Sequence, residues 1–533
     1  MWSISTNCTL PPNGATFVQS PNVRGTLDIV WSCVSLLLIC TWSILHLNVP
    51  IQSTPRNKKQ SYNRTTRRLA RKFGWMAMNV MSPEWAMGKA WSDYRTVSDN
   101  MATFKCIAEQ DDVPWSQAHT HLANMGGFVL KFSETTPLVP HHRVWKFAGT
   151  GIPPTNVLNP RSKISQAATE LTVNSANPHR NSLPARIIKK LNSPKGPDYL
   201  RATSMTAMSR KIGTIDWHKE KLNSVAVDKA IETVTLDDFQ GSYEKKSFLS
   251  QYDEWFCNLR TFRGNIWVLD SNQVLLARQL GIIKRLPNVS EDEISDRNKG
   301  DLFVKIIALC QILWFSFQFG VRVRLNLSTS LLEVLTLAST VSTFFIYLLL
   351  LKKPKDVECS IGILATRYAS PKEMIRLALV GPKPYNYRSS PWIPNSARHW
   401  SRNTTAHPLM GATFGAVVFG GLHYVAWYWH SSFPSEFDKW AWNIASAVAM
   451  AAVPTVYLVQ ALITSITRLC SYKTNILLRS GFERGARYSF SYLIWAVFFL
   501  SRLCVLVLAF RSLAFLNPET FQKTLSDNIP HMH

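Results

Sequence analysis

The sequence predicts an all-α integral membrane protein with six transmembrane helices and a large cytosolic insert after the first. Three observations carry that prediction. Six stretches are long and apolar enough to cross a bilayer, whose core of about 30 Å takes ~20 residues of helix. Basic residues collect in alternate loops between those stretches, as orientation by positive charge requires. The composition also excludes two common alternatives. Of 533 residues 46% are hydrophobic, with 19 Trp and 27 Phe, which is too apolar for wholesale disorder. The 9 Cys show no CxxC spacing and are too sparse for a disulfide scaffold.

The predicted spans are 27–47, 302–321, 331–351, 409–429, 440–463 and 490–510. The first is preceded by one basic residue, Arg24, and lacks a short apolar core followed by a cleavage site, so it reads as an uncleaved helix rather than a signal peptide. The second carries Lys305 one turn in, where a lysine can snorkel to the headgroups. Aromatic residues near the span ends (Trp427, Tyr428, Trp429, Trp440, Trp442) fit interfacial belts.

Charge sets the expected orientation. The chain holds 59 Lys plus Arg against 34 Asp plus Glu, a net charge of +25. In a soluble protein that excess would suggest nucleic acid; in a membrane protein it belongs on cytosolic loops. Residues 56–72 hold eight basic residues and no acid, 352–408 are net +7, 464–489 net +4, and 430–439 net −1. The three basic segments are therefore expected in the cytosol, with residues 1–26, the 322–330 and 430–439 turns and the 511–533 tail outside or in a lumen. These assignments read the excess as orientation information and leave no call for nucleic acid. The bilayer is the expected partner, with anionic lipid at the basic loops. Of the sequons on the outer side, Asn7 stands clear of the membrane and is the expected glycan site. The membrane is expected to be an endomembrane or the plasma membrane.

Between the first two spans, residues 48–149 read as cytosolic or interfacial helices, 150–215 as a basic linker rich in Pro, Asn and Ser, and 216–301 as a cytosolic helical segment. Residues 67–91 are amphipathic and aromatic but interrupted by Pro83, Glu84 and Lys89, so they are expected in the headgroup layer. If this stretch and the short 119–132 segment both crossed, the count would be eight. Ser271 is the expected cap of a helix through VLLARQLGII, and Ser290 with Glu293 form a capping box opening a helix that continues into 302–321.

Several blocks resemble a large group of uncharacterised fungal multispanning membrane proteins. The first is RGTLDIVWSCVSLLLICTWSILHLNVP (24–50), whose pattern is RGT-x-DI-x-WSC followed by HLN-x-P. WMAMNVMSPEWAMGKA, WSQAHTHLANMGGFVL and GIIKRLPNVSEDEISDRNKGD with LLEVLTLA and KKPKDVE are similar to further blocks; LLLLKKP departs from the group where an aromatic pair usually precedes KP. The resemblance implies a membrane protein of fungal type and transfers no reaction and no catalytic residue.

Chemistry-bearing residues are few. Arg502 falls mid-helix in its span, where a charge costs roughly 2.5–3.5 kcal/mol and must face protein or water. Glu333 is its expected partner, and His423 and Asp28 fall at similar outer-half depths, so the four form a candidate intramembrane cluster able to bind an anion or relay protons, or simply to brace the bundle. His119 and His121 lack a further ligand at useful spacing, so no metal is expected. The pairs Asp111–Asp112 and Asp237–Asp238 read as solvated turns, and Gly126–Gly127 as a close helix contact. Gly411 and Gly415, with Ala441, Ala445 and Ala449, make small-residue faces for helix packing, and Pro454 is expected to kink its helix. No GxSxG, HExxH, GxGxxG or P-loop pattern occurs, and no cofactor is expected. The expected function is a non-enzymatic scaffold or accessory component, for instance of a fungal secondary-metabolite pathway. The alternatives are an embedded enzyme acting on a lipophilic substrate, and a transporter. No internal repeat supports the last.

Overall fold

The structure is a computed structural model describing residues 10–12, 15–20, 23–50, 52, 58–132, 262, 266–297, 302–369, 371–382, 392–399, 406–426, 433–469 and 476–524. Asn7, the 150–215 linker, Asp237–Asp238 and Trp427–Trp429 lie outside these residues. Six described helices are long and apolar enough to cross a membrane, and each overlaps a predicted span. They are α1 (Thr26–Ser43), α7 (Leu302–Arg324), α8 (Leu331–Leu349), α10 (Ala406–Val425), α11 (Glu436–Leu469) and α12 (Ile476–Arg511).

Helix α8 is the axis of the bundle, packing against α1, α7, α10 and α12. Its start is written in the sequence. Ser330 caps it, with its N–H and hydroxyl donating to Glu333 Oε2 at 2.9 Å each, which is the reciprocal box that satisfies the first orphan N–H groups. Around it Cys33, Leu36, Leu37 and Cys40 of α1, Ile312, Phe315 and Phe319 of α7, Trp442 of α11 and Val505 and Leu508 of α12 form one core. Each fully buried Leu, Ile or Phe there contributes about 1.5–3 kcal/mol where water is the alternative. The outward faces keep large apolar groups exposed, among them Leu458, Leu462 and Ile466 of α11 and Leu493, Leu500, Leu503 and Val507 of α12.

The bundle ends differ. At one end the segments before α1 and after α12 meet: Arg24 N–H donates to Phe521 O at 2.9 Å, and Val18, Val23, Ile29, Leu516 and Phe521 pack together. Arg322 ties α7 to the same place, its guanidinium donating to Ser328 O at 3.0 Å, Thr520 O at 2.9 Å and Gln522 O at 3.0 Å. At the other end lies a small α/β layer, which the all-α prediction does not contain. Strands β1 (Phe128–Lys131), β2 (Ile266–Val268) and β3 (Ile361–Leu364) form a sheet of order β2-β1-β3, with β1 antiparallel to β2 in the register Lys131↔Ile266 and parallel to β3. Helices α4 (Gln117–Asn124), α5 (Ser271–Gln279), α6 (Glu291–Arg297) and α9 (Pro371–Val380) complete it, around a core of Phe104, Trp115, Phe128, Phe262, Trp267, Leu276 and Met374.

The layer corrects several expectations. The 119–132 segment does not span: it is the short α4, a turn and β1, so the eight-helix alternative fails. Gly126 and Gly127 make that turn, Gly126 at φ +80°, rather than a helix contact. Asp270, not Ser271, caps α5, accepting from Gln273 N at 3.0 Å while Gln273 Oε1 accepts from Asp270 N at 3.0 Å. Asp111 is a buried clamp rather than a solvated turn, taking Arg278 Nε at 2.8 Å and Leu286 N at 2.7 Å. Ser290 does accept from Glu293 N, at 3.1 Å; residues 298–301, which would join α6 to α7, lie outside the described residues.

Residues 67–91, expected in the headgroup layer, form the end of α2 (Lys58–Met81) and the start of α3 (Pro83–Asp111). Ser82, between them, and Pro83, the first residue of α3, are buried, and α3 lies tightly along α10. A Cβ on Gly88 would fall 2.5 Å from Pro408 O, one on Gly411 2.4 Å from Trp91 Cβ, and one on Gly415 3.1 Å from Glu84 Cα. The start of α3 therefore reaches halfway along α10. Gly411 and Gly415 serve the close approach expected of them, with α3 as the partner helix.

Candidate functional site

The four residues predicted as one cluster divide into two places. At the end where the segments before α1 and after α12 meet, Asp28 Oδ2 accepts from Gly25 N at 2.9 Å and from the Ser20 hydroxyl, which fixes the start of α1. Glu333 caps α8 and pairs with Arg24 at 2.7 Å. Both carboxylates are thus committed to helix starts. Arg502 is buried three-quarters of the way along α12, and its ion pair is with Glu84 at the start of α3, not with Glu333. Its guanidinium stacks on Phe419 (4.2 Å) and Phe498 (5.3 Å). His423 is tilted against the same Phe419 (4.5 Å) and lies near Trp442 (5.4 Å), its Nδ1 2.7 Å from Phe419 O. Arg502 and His423 therefore share an aromatic wall, while Glu333 and Asp28 are elsewhere. The sequence expectation failed because Glu84 read as an interruption of an interfacial helix.

A second set of charges, which the sequence reading did not assemble, converges where the bundle meets the α/β layer. Asp93, on α3 two turns beyond Glu84, accepts from Lys89 Nζ at 3.1 and 3.2 Å and from Lys353 Nζ at 2.6 Å. Burial alone would raise its carboxyl, but Lys353, Lys89 and His399 together hold it well below the usual carboxylate range. His121, buried beside them, is pushed down to about 3, first by burial and then by Lys353. It is therefore neutral at physiological pH. His399 Nδ1 lies 3.1 Å from Asp270 Oδ2, whose partner oxygen is occupied by the α5 cap. Two lysine side chains thus converge on one carboxylate, and burial lowers Lys353 against the pull of Asp93. His119 plays no part: Ser116 N–H donates to its Nδ1 at 3.1 Å and its Nε2 lies 2.7 Å from Val289 O, so both ring nitrogens are committed within the layer.

Beside Lys89 and Asp93 a cavity of about 390 Å³ opens between α3, α10, α11 and α12. One edge is polar, formed by Lys89, Ser92, Asp93, Ser396 and Arg398. The remaining wall is apolar and aromatic, with Trp85, Leu409, Val453, Val456, Tyr457 and Trp495. Tyr457 is 52% exposed and marks the open side. The 392–399 segment is held in place by Asn48, whose N–H donates to Asn395 Oδ1 at 2.7 Å and whose side-chain amide donates to Pro394 O at 3.0 Å. A smaller cavity of about 50 Å³ lies behind, sharing Trp85, Lys89 and Asp93 and reaching Lys353. The ion cluster is the partition between the two. Among the described residues no group of three or more His, Cys, Asp or Glu is disposed to hold a metal.

No curated protein sequence and no solved structure matches the chain. Residues 2–144 and 274–370 match the model of a protein family described as a family of unknown function (DUF8562). The matched residues include Glu84, Lys89, Asp93 and Lys353, whereas Arg398, Tyr457, Trp495 and Arg502 lie beyond them. The chain is similar to that family in the first half of its bundle and in most of the α/β layer.

Proposed function

We propose that this chain is a six-span membrane protein of the fungal multispanning group, with residues 1–26 and 511–533 outside or in a lumen and the α/β layer in the cytosol, acting as a non-enzymatic scaffold or accessory component. The six long apolar helices carry the membrane reading. Their exposed Leu, Val and Ile faces support it, because a surface of that kind would aggregate in water. The orientation follows from charge: the basic 56–72 and 352–408 segments flank the end bearing the layer, and the described segments before α1 and after α12 meet at the other. An even number of crossings requires both termini on one side.

The absence of turnover is supported by how the intramembrane charges are used. Glu333 and Asp28 are engaged in helix starts, and Arg502 is engaged by Glu84. The α2–α3 break fits this picture as a re-entrant hairpin, its non-helical Ser82 shielded by protein, which is the condition for irregular backbone at membrane depth. The test is incubation of the full chain in nanodiscs with metabolite extract, followed by mass spectrometry. The expected result is unaltered metabolites. Reproducible conversion of any component would overturn the non-enzymatic reading and favour the embedded enzyme.

A further inference from the structure

We propose that the 390 Å³ cavity between α3, α10, α11 and α12 binds a single-chain amphiphile with an anionic head, the carboxylate or phosphate held by Lys89 and Arg398 and the chain laid along Trp85, Val456, Tyr457 and Trp495. The volume lies within the roughly 300–1,000 Å³ usual for small-molecule sites, and a mostly apolar wall with a few convergent polar groups is their usual lining. The charge selects the head. Lys89 and Lys353 converge on the single carboxylate of Asp93, and Lys353 is screened from the cavity behind it. Lys89, with three donors and a side chain 21% exposed, is the ammonium that faces the open volume. Asp270, which holds His399, spends one oxygen on the α5 N-terminus and the other on that histidine. The cationic groups at the cavity edge are Lys89 and Arg398, and its one carboxylate, Asp93, is already met by two lysines, so an anionic head fits there and a cationic one does not.

The wall selects the tail. Val453 and Val456 flank Pro454 of α11, and with Tyr457 and Trp495 they present a surface with no further charge. The opening at Tyr457 lies on the outward face of the bundle, beside the exposed Leu458. A ligand dissolved in the membrane could enter there with its head at the polar edge. A nucleotide or sugar phosphate would instead set hydroxyls against that wall without partners, which is costly. The inference rests on the membrane reading for the route of entry only, and orientation is tested separately by glycan mapping.

The experiment uses the full chain in phosphatidylcholine nanodiscs, titrated with 9,10-dibromostearate, whose bromines quench tryptophan on contact; Trp85 and Trp495 are the reporters. We expect a saturable quench, reversed by oleate and by lysophosphatidic acid but not by oleyl alcohol or inorganic phosphate. Lys89→Gln should weaken dibromostearate binding about tenfold or more, as loss of one charge-assisted hydrogen bond does, while Lys89→Arg stays within about threefold of wild type. Equal competition by oleyl alcohol, quenching that only follows bulk partition, or a folded Lys89→Gln protein that binds like wild type would each overturn the proposal. If Lys89→Gln does not fold, the oleate-against-alcohol comparison on the unmodified chain decides alone. Competition by inorganic phosphate would likewise overturn it, because a free anion would then suffice.

Discussion

Replacing Arg502 by Leu should cost the fold about 3–5 kcal/mol, the penalty for stranding one member of a buried ion pair. The structure gives no reason to discount that figure for solvent, since the side chains of Arg502 and Glu84 are 4% and 1% exposed. The substitution also removes the stacking of the guanidinium on Phe419 at 4.2 Å, which is worth about 2 kcal/mol in a desolvated setting. Glu84→Gln should cost a similar amount by leaving Arg502 unpaired. The double variant Glu84→Gln/Arg502→Leu buries no charge, so it should be no less stable than either single variant. The coupling energy would then be about 3 kcal/mol or more. The measurement is an unfolding titration in mixed micelles of the four proteins, read by tryptophan fluorescence. Additive penalties of about 6–10 kcal/mol would refute the pairing, and a neutral Arg502→Leu would mean that the guanidinium reaches solvent.

Further outcomes follow from other contacts. Gly88→Leu should separate α3 from α10, because even a Cβ would meet Pro408 O at 2.5 Å; we expect about 1–3 kcal/mol of destabilisation and a broadened size-exclusion profile. Asp111→Asn should cost about 1.5–3 kcal/mol at neutral pH by removing a charged acceptor from Arg278 and Leu286. The hydrogen bond from Arg278 depresses the Asp111 carboxyl, so its contribution is full above the ordinary carboxylate range and fades as pH falls through the lower folded value. Wild type and variant should therefore converge in melting temperature in strong acid; a difference independent of pH would contradict this. Asn7→Gln should abolish a glycosidase-sensitive mobility shift, while a sequon introduced at 356–358 should remain unmodified, and glycan at the second site would reverse the orientation.

The apolar spans were legible because each is a long apolar run, and the Ser290–Glu293 box because its partners are three residues apart. The sheet was not, since its strands are three or four residues long and their pairing joins regions far apart in sequence. Charge was read only in aggregate. Lys353 and Lys355 counted toward a basic loop, yet both are buried: Lys353 on Asp93, and Lys355 donating to Trp42 O at 2.8 Å at the end of α1. Glu84 and Lys89 looked like flaws in an amphipathic helix, because their partner Arg502 and their neighbour Arg398 come from the other half of the chain. The candidate site was hidden for the same reason.

The pairing of Lys131 with Ile266 places the two ends of a long stretch of sequence on facing positions of adjacent antiparallel strands. Topologically the stretch 132–265 is the loop of a hairpin, whatever it contains. Replacing residues 133–261 with a four-residue turn, which keeps the core residues Phe132 and Phe262, shortens the loop by roughly four doublings and lowers the entropy cost of closure by about 2.4 kcal/mol. A miniature of this protein lacking a quarter of its chain should assemble the same bundle and layer, and should do so with a stability margin the parent does not have.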